Sequence, residues 1–285
     1  MNDTFERDGA YGASDKKQRI LRIQKKIWIE YPNARTTLDA ILTMLEIPSD
    51  ITAPCMLVCG AGGSGKTTIV AQLKKMNARL GSPLVFMTLT ENPGNLKFKE
   101  LLMETLGLPI KLAAGKGILS KEIANYIHSH GIKAIVIDEF HESLIVPKNE
   151  QLRNLSLLKG LSGDPYNLSV IGFGVWAAKN ALSYDDQLSR RFYMYELSPW
   201  NLDEDFRNFV ASFESYIDLK HPSLLYQEEM LRFLHDCTKG TMDNIVKIIR
   251  SSACFAIQTG EERITKELIL KVLKDPVGYG KGTHE

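Results

Sequence analysis

Strand and helix signals that alternate up to residue 200, with helices alone beyond it, predict a parallel α/β sheet followed by a small all-helical subdomain. Three observations carry that prediction. Short apolar runs at 55–59 (CMLVC), 84–89 (LVFMTL), 133–137, 168–173 and 192–197 have the length and continuity of buried strands. Apolar residues at helical spacing fill the gaps between most of these runs. From Asn201 four helical stretches follow, at about 202–217, 223–236, 241–257 and 265–274, with no strand pattern among them.

Taken in order, residues 1–14 are polar and mixed in charge and are expected to be disordered or loosely attached. Residues 16–26 then hold six basic side chains (Lys16, Lys17, Arg19, Arg22, Lys25, Lys26) and no acidic one. Ile20, Ile23 and Ile27 fall at i, i+3 and i+7, which makes a basic amphipathic helix. Two readings of it stand: a solvated face whose apolar stripe packs on the sheet domain, or a docking or nucleic-acid-binding arm. Tyr31-Pro32 is expected to end this element, and a second helix over 36–46 stops before Pro48. A helix at 67–79, carrying Ile69, Val70, Leu73 and Met76, follows the first strand. Further helices are expected at 95–106, 119–130 and 150–161, with a loop at 107–117. The terminal GYGKGTHE is expected to be too rich in glycine to pack. The chain thus divides into an extension (1–32), an α/β domain (33–200), a helical lid (201–275) and a flexible tail (276–285).

Composition narrows the class. The chain has 285 residues, 44% apolar and 24% charged, with net charge +1, so any contact with a polyanion must come from local patches. No apolar run approaches the roughly 18 residues that span a membrane, and the polar start MNDTFERDGAYGASD is unlike a signal peptide. Four cysteines make no disulfide framework, and Cys55 and Cys59 read as small core residues on one face of a strand. The reading is cytoplasmic, without a membrane.

Two motifs carry chemistry. Gly60-Ala61-Gly62-Gly63-Ser64-Gly65-Lys66-Thr67-Thr68 is a G-x-x-x-x-G-K-T phosphate-binding loop, set between a buried strand and a helix N-terminus. Glycines let backbone N–H groups wrap the phosphates, Lys66 brings a point charge to the β- and γ-phosphates of ATP, and the Thr67 hydroxyl can reach Mg²⁺. The second motif is the strand end Ile137-Asp138-Glu139. Beside such a loop, Asp138 can hold Mg²⁺ through water, and Glu139 can orient and deprotonate the attacking water. A guanine-reading N-K-x-D is absent, and D-x-x-G occurs only at Asp275–Gly278, behind the last helix. A phosphate loop, a D-E strand end, a basic box and a helical lid together describe an AAA+ P-loop NTPase.

The order of W-I-E-Y-P-N-A-R-T-T-L (28–38), GAGGSGKT, IDEFH (137–141), VIGFG (170–174) and QLSRRF followed by L-S-P-W (187–200) resembles the TniB family and its relative TnsC. These are AAA+ ATPases of transposition modules, and the resemblance covers about 20–275. It implies an ATPase that forms a homo-oligomeric ring or helical filament on duplex DNA. It also implies communication with a DDE-type transposase and a target-selection protein of the TniQ kind. His141 matches a histidine frequent after D-E in the family, with a local cap or core hydrogen bond as the equal alternative. Arg190 and Arg191 match the box that supplies an arginine finger to a neighbour's ATP; Arg191 is favoured, and pairing with Asp185 or Asp186 is the structural alternative. Two positions depart from the pattern. Gly174-Val175 stands where Gly-Thr is usual, and Asn244 follows Gly240 where a basic residue is usual. Both weaken the expected sensing of the γ-phosphate, so hydrolysis is expected to be slow. Lys97, Lys99, Lys111 and Lys116 are the expected DNA-backbone contacts. Two other classes stay open: a nucleotide-gated switch acting on a protein without DNA, and a helicase-loader or replication-initiator ATPase.

Overall fold

A computed structural model describes residues 15–48, 52–90, 94, 96–113 and 121–280. Residues 1–14 and the end of the expected loop, 114–117 with Lys116, lie outside them. The described chain forms two compact units, one of Pro32–Ser198 and the other of the segment ending at Tyr31 together with Pro199 onward.

The Pro32–Ser198 unit is a five-stranded parallel sheet in the order β2-β3-β4-β1-β5. Its strands are β1 (Cys55–Gly60), β2 (Leu84–Thr88), β3 (Ala134–Asp138), β4 (Ser169–Gly174) and β5 (Phe192–Leu197). β1, β3 and β4 are buried at every residue, which is why their sequences run apolar without alternation. β5 lies at an edge and shows exposed residues in its middle, among them Tyr193 and Met194. The helices are α2 (Pro32–Leu45), α3 (Lys66–Asn77), α4 (Phe98–Thr105), α5 (Lys121–Ser129), α6 (Lys148–Leu161), α7 (Trp176–Leu182) and α8 (Asp186–Ser189). α7 and α8 fall in a stretch for which the sequence suggested no helix; they are short, and α7 buries mostly alanine, so neither gives a strong apolar period.

The other unit holds α1 (15–23), α9 (Glu204–Ser215), α10 (Glu228–Thr238), α11 (Met242–Thr259) and α12 (Lys266–Lys274). Three expectations change here. The apolar stripe packs into the core of these C-terminal helices, through Ile20 and Ile23 of α1 and Ile27 just beyond its end, and not on the sheet domain. Pro32 does not end an element but opens α2, where its missing N–H has no helical partner to lose. The start of the tail does pack: Tyr279 meets Phe255 edge to face at 5.8 Å, and its hydroxyl accepts from Gln24 Nε2 at 3.0 Å.

A buried ion pair fixes α1. Arg19 Nη1 and Nη2 donate to Glu262 Oε1 and Oε2 at 2.8 and 2.7 Å, and both side chains are more than nine-tenths buried. Arg19 Nη2 also donates to the Asp218 carbonyl. The hydrogen bond from Arg19 holds the Glu262 carboxyl below its ordinary value. A carboxyl depressed in the native state contributes stability above its unfolded pKa of about 4.3, and that stability is lost as pH falls through the native value. Arg19→Met should therefore cost about 3–5 kcal/mol at pH 7, the usual penalty for stranding one buried charge. The gap to wild type should narrow as pH falls below the unfolded value of about 4.3 and through the depressed native one, where Glu262 takes up a proton. Denaturant midpoints at pH 7, 5 and 3.5 check this; a gap that does not change with pH would refute it.

Candidate nucleotide-binding site

The strand order brings both motifs to one edge of the sheet. β4 lies between β1 and β3, so the C-terminal ends of β1, β4 and β3 sit side by side, with Cys59 opposite Gly174 and Ile137 opposite Gly172. Such a carboxyl-end crevice is where open parallel sheets take their ligands.

Between β1 and α3 the loop depends on three of its glycines. Gly63 and Gly65 have φ of 76° and 93°, the left-handed region that disfavours a Cβ. A Cβ on Gly60 would lie 2.4 Å from Ser64 Oγ and 2.9 Å from the Leu197 carbonyl. Gly62 differs: nothing lies within 4 Å of where its Cβ would stand, so neither backbone nor packing requires glycine there. Lys66 folds back into the loop and donates to the Gly60 and Ala61 carbonyls, both at 2.8 Å, and to Ser64 Oγ at 3.4 Å. Burial pulls its ammonium pKa down, while the Glu139 and Asp138 carboxylates push it back up. Thr67 and Thr68 are exposed on the first turn of α3.

At the end of β3, Asp138 is buried and its Oδ1 accepts from Glu139 N at 3.0 Å. Glu139 has φ of 53°, an uncommon conformation for a residue with a Cβ and one that concentrates at functional sites. Behind it, Phe140 is fully buried over β4: a Cβ on Gly172 would come within 2.5 Å of the Phe140 ring. That contact went unread in the sequence, although a glycine inside an apolar strand pattern signals close approach by a neighbour. His141 stands between Glu139 and Glu142.

The basic box divides. Arg191 Nη1 donates to the Lys159 carbonyl at 2.9 Å and to Ser162 Oγ at 2.8 Å, so its guanidinium caps the C-terminal end of α6. Its expected role as the favoured finger is thus set against a structural one. Arg190 is exposed, with no side-chain hydrogen bond or ion pair recorded among the described residues. The expected pairing partner Asp185 instead takes Lys159 at 2.8 Å and caps α8 through Leu188 N. Lys97 and Lys99 lie at the start of α4, and exposed Lys111 lies on the turn Ile110–Ala113 packed against that helix. Val175 precedes α7, and Asn244 is exposed near the start of α11.

The fold and this site define an AAA+ P-loop ATPase, which binds nucleotide. The model of the family described as bacterial TniB protein matches residues 19–202, and the chain belongs to that family. Solved structures agree on the fold. The chain is similar to Aeropyrum pernix ORC1 in complex with DNA, at TM-score 0.60 and 14% identity, covering 90% of this chain and 69% of that one. It resembles the Thermotoga maritima RuvB Holliday junction branch migration motor at TM-score 0.53 and 16% identity, covering 89% and 72%. Cdc6p from Pyrobaculum aerophilum gives TM-score 0.60 at 14% identity, covering 87% and 68%. No curated protein matches the sequence. Family and fold agree on an ATPase. Among the described residues no helix is long and apolar enough to cross a membrane.

Lys66→Ala should abolish nucleotide binding, because the only cation buried in the loop is lost while Asp138 and Glu139 remain. Titration with a fluorescent ATP analogue reads this directly, and wild-type affinity in the variant would break the assignment of the loop.

Proposed function

We propose that this chain is an ATP-dependent regulator of DNA transposition. In this reading it assembles as a homo-oligomer on duplex target DNA and recruits or activates a DDE-type transposase, alongside a target-selection protein of the TniQ kind. The observation that carries the reading is the buried Lys66 held among the loop carbonyls and influenced by Asp138 and Glu139, in a chain of the TniB family.

The residues fit ATP and Mg²⁺. Gly63 and Gly65 turn the loop so that backbone N–H groups at 61–65 can face an anion, and Lys66 can exchange its two carbonyl partners for phosphate oxygens. Thr67 and Asp138 would hold Mg²⁺, which when bound neutralises charge on the β- and γ-oxygens. Glu139 takes a proton from the water that attacks the γ-phosphorus, as the bond to the departing ADP breaks. Val175 supplies no polar sensor and Asn244 no basic one, so turnover is slow and ATP acts chiefly as an assembly switch.

One assignment within this reading changes. Arg191 is committed to the end of α6, so the finger that completes a neighbour's site is Arg190. Mixing Arg190→Ala protein with Lys66→Ala protein should recover part of the ATPase activity at shared interfaces, whereas Arg191→Ala, its finger intact, should be active alone and gain nothing from such mixing. Steady-state hydrolysis of the mixtures decides between the two arginines; no recovery in either would place the arginine in cis or outside the chemistry.

DNA contact is assigned to Lys97, Lys99, Lys111 and Lys116. Electron microscopy with duplex DNA should show ordered assemblies with ATP and none without it, longer-lived in Glu139→Gln. Binding should be indifferent to sequence and should weaken by orders of magnitude between about 50 and 200 mM salt. Lys97→Ala with Lys111→Ala should flatten that slope, and an unchanged slope would move the footprint off these lysines. A second reading, a replication-initiator ATPase, is favoured by the resemblance to Aeropyrum pernix ORC1 in complex with DNA. Stimulation of a co-purified transposase by the ATP-bound assembly would set it aside.

A further inference from the structure

β4 ends in Gly174-Val175, so the strand at the centre of the site brings no polar side chain to a bound phosphate. The space there is taken from the neighbouring strand end. A Cβ on Gly174 would stand 3.3 Å from the His141 backbone nitrogen and 3.7 Å from His141 Nδ1. The imidazole therefore lies against the end of β4, in room that glycine leaves. Its Nδ1 is 3.3 Å from Glu139 Oε2, and its Nε2 is 3.3 Å from Glu142 Oε1.

Those contacts are close without being satisfied. His141 Nδ1 is buried and has no hydrogen-bond partner, because the Glu139 carboxylate lies off the line of an N–H bond. Buried ring nitrogens are rarely left unmatched, and one that is unmatched beside a candidate base marks a candidate for a functional role. A residue serving only to fill the space beside Gly174 would need no nitrogen there at all. Glu139, meanwhile, stands on a left-handed backbone and is part exposed, so its carboxylate has room to move. Phe140, wedged over Gly172, fixes the backbone from which both side chains project.

We propose that His141 is a positioning residue for Glu139, replacing the polar side chain that β4 lacks. With its proton on Nδ1, the ring donates to Glu139 Oε2 after a small shift and aims the other carboxylate oxygen at the attacking water. Glu142, more than half exposed, turns toward solvent as the ring moves. The proposal rests on the reading of Glu139 as the base.

Steady-state ATP hydrolysis and nucleotide affinity of the full chain test it, in His141→Ala, His141→Asn and His141→Gln. The asparagine amide nitrogen can take the place of Nδ1 and the glutamine nitrogen that of Nε2. His141→Ala should lower kcat at least about tenfold with KM and nucleotide Kd within about twofold, since misplacing a reacting group costs up to about a hundredfold. His141→Asn should recover most of that loss and His141→Gln little of it. Adding His141→Ala to Glu139→Gln should slow hydrolysis no further, because the histidine acts through the glutamate. Wild-type kcat in His141→Ala, failure of His141→Asn to recover, equal recovery by His141→Gln, or additive losses in the double variant would each overturn the proposal. Should His141→Ala not fold, the comparison of Asn with Gln decides alone. If Glu139→Gln itself turns over at the wild-type rate, the reading of Glu139 falls, and this proposal with it. An inactive Glu139→Gln beside an unimpaired His141→Ala overturns this proposal only.

Discussion

One ammonium organises the sheet domain. Lys66 is buried, its nitrogen is held by two loop carbonyls, and the carboxylates of Asp138 and Glu139 favour its charged state. A buried cation whose close partners are neutral oxygens is an expensive arrangement unless an anion is to come. The loop's left-handed glycines, the N-terminus of α3 and the order of the strands all follow from keeping that charge in place and approachable. β4 must lie between β1 and β3 for the phosphate loop and the carboxylate pair to share one crevice.

The second constraint is steric. Phe140 follows the carboxylate pair directly and fills the space over Gly172, where even one added carbon would collide with its ring. Extra atoms in a packed core of this kind typically cost about 1–3 kcal/mol. The larger consequence concerns precision. Phe140 and Phe192 stack at 6.1 Å, so the segment carrying Glu139 and His141 is fixed to both β4 and β5. A strand end that carries chemistry is thereby held by apolar contacts to its neighbouring strands.

What the sequence made legible follows from what has a period or a motif. β1, β3 and β4 are buried throughout, and their apolar runs announced them; Cys55–Gly60 and its loop were readable because strand, glycines and Lys66 occur in one fixed order. Boundaries were less readable where one residue type has two uses. Pro32 stops a helix in most contexts, yet at the first position of α2 it costs nothing. Arg190 and Arg191 are chemically identical, and only the nearby end of α6 tells them apart. The stripe of α1 showed that it must pack, but a stripe does not name its partner. That partner is set by Glu262, more than two hundred residues away, whose carboxylate meets Arg19.

The chain joins its two units twice, at Tyr31-Pro32 and at Ser198-Pro199. Both junctions are X-Pro, so φ of the proline is fixed and the residue before it is kept out of the helical region. On the helical side the two strands of chain are tied together. Tyr31 packs on Trp200 with ring centroids 5.3 Å apart, and Trp200 exchanges a backbone hydrogen bond with Gly240 at 2.8 Å while its carbonyl meets His235 at 2.9 Å. Gly240 is required there, since a Cβ would stand 2.3 Å from the Trp200 carbonyl oxygen. On the helical side both junctions therefore lead into the same clasp of Tyr31, Trp200 and Gly240. The clasp sits on the aromatic core of Phe206, Phe209 and Phe213. Packed cores answer force as solid bodies and resist local deformation. The helical unit is thus one packed body, and both crossings of the chain lead into its core.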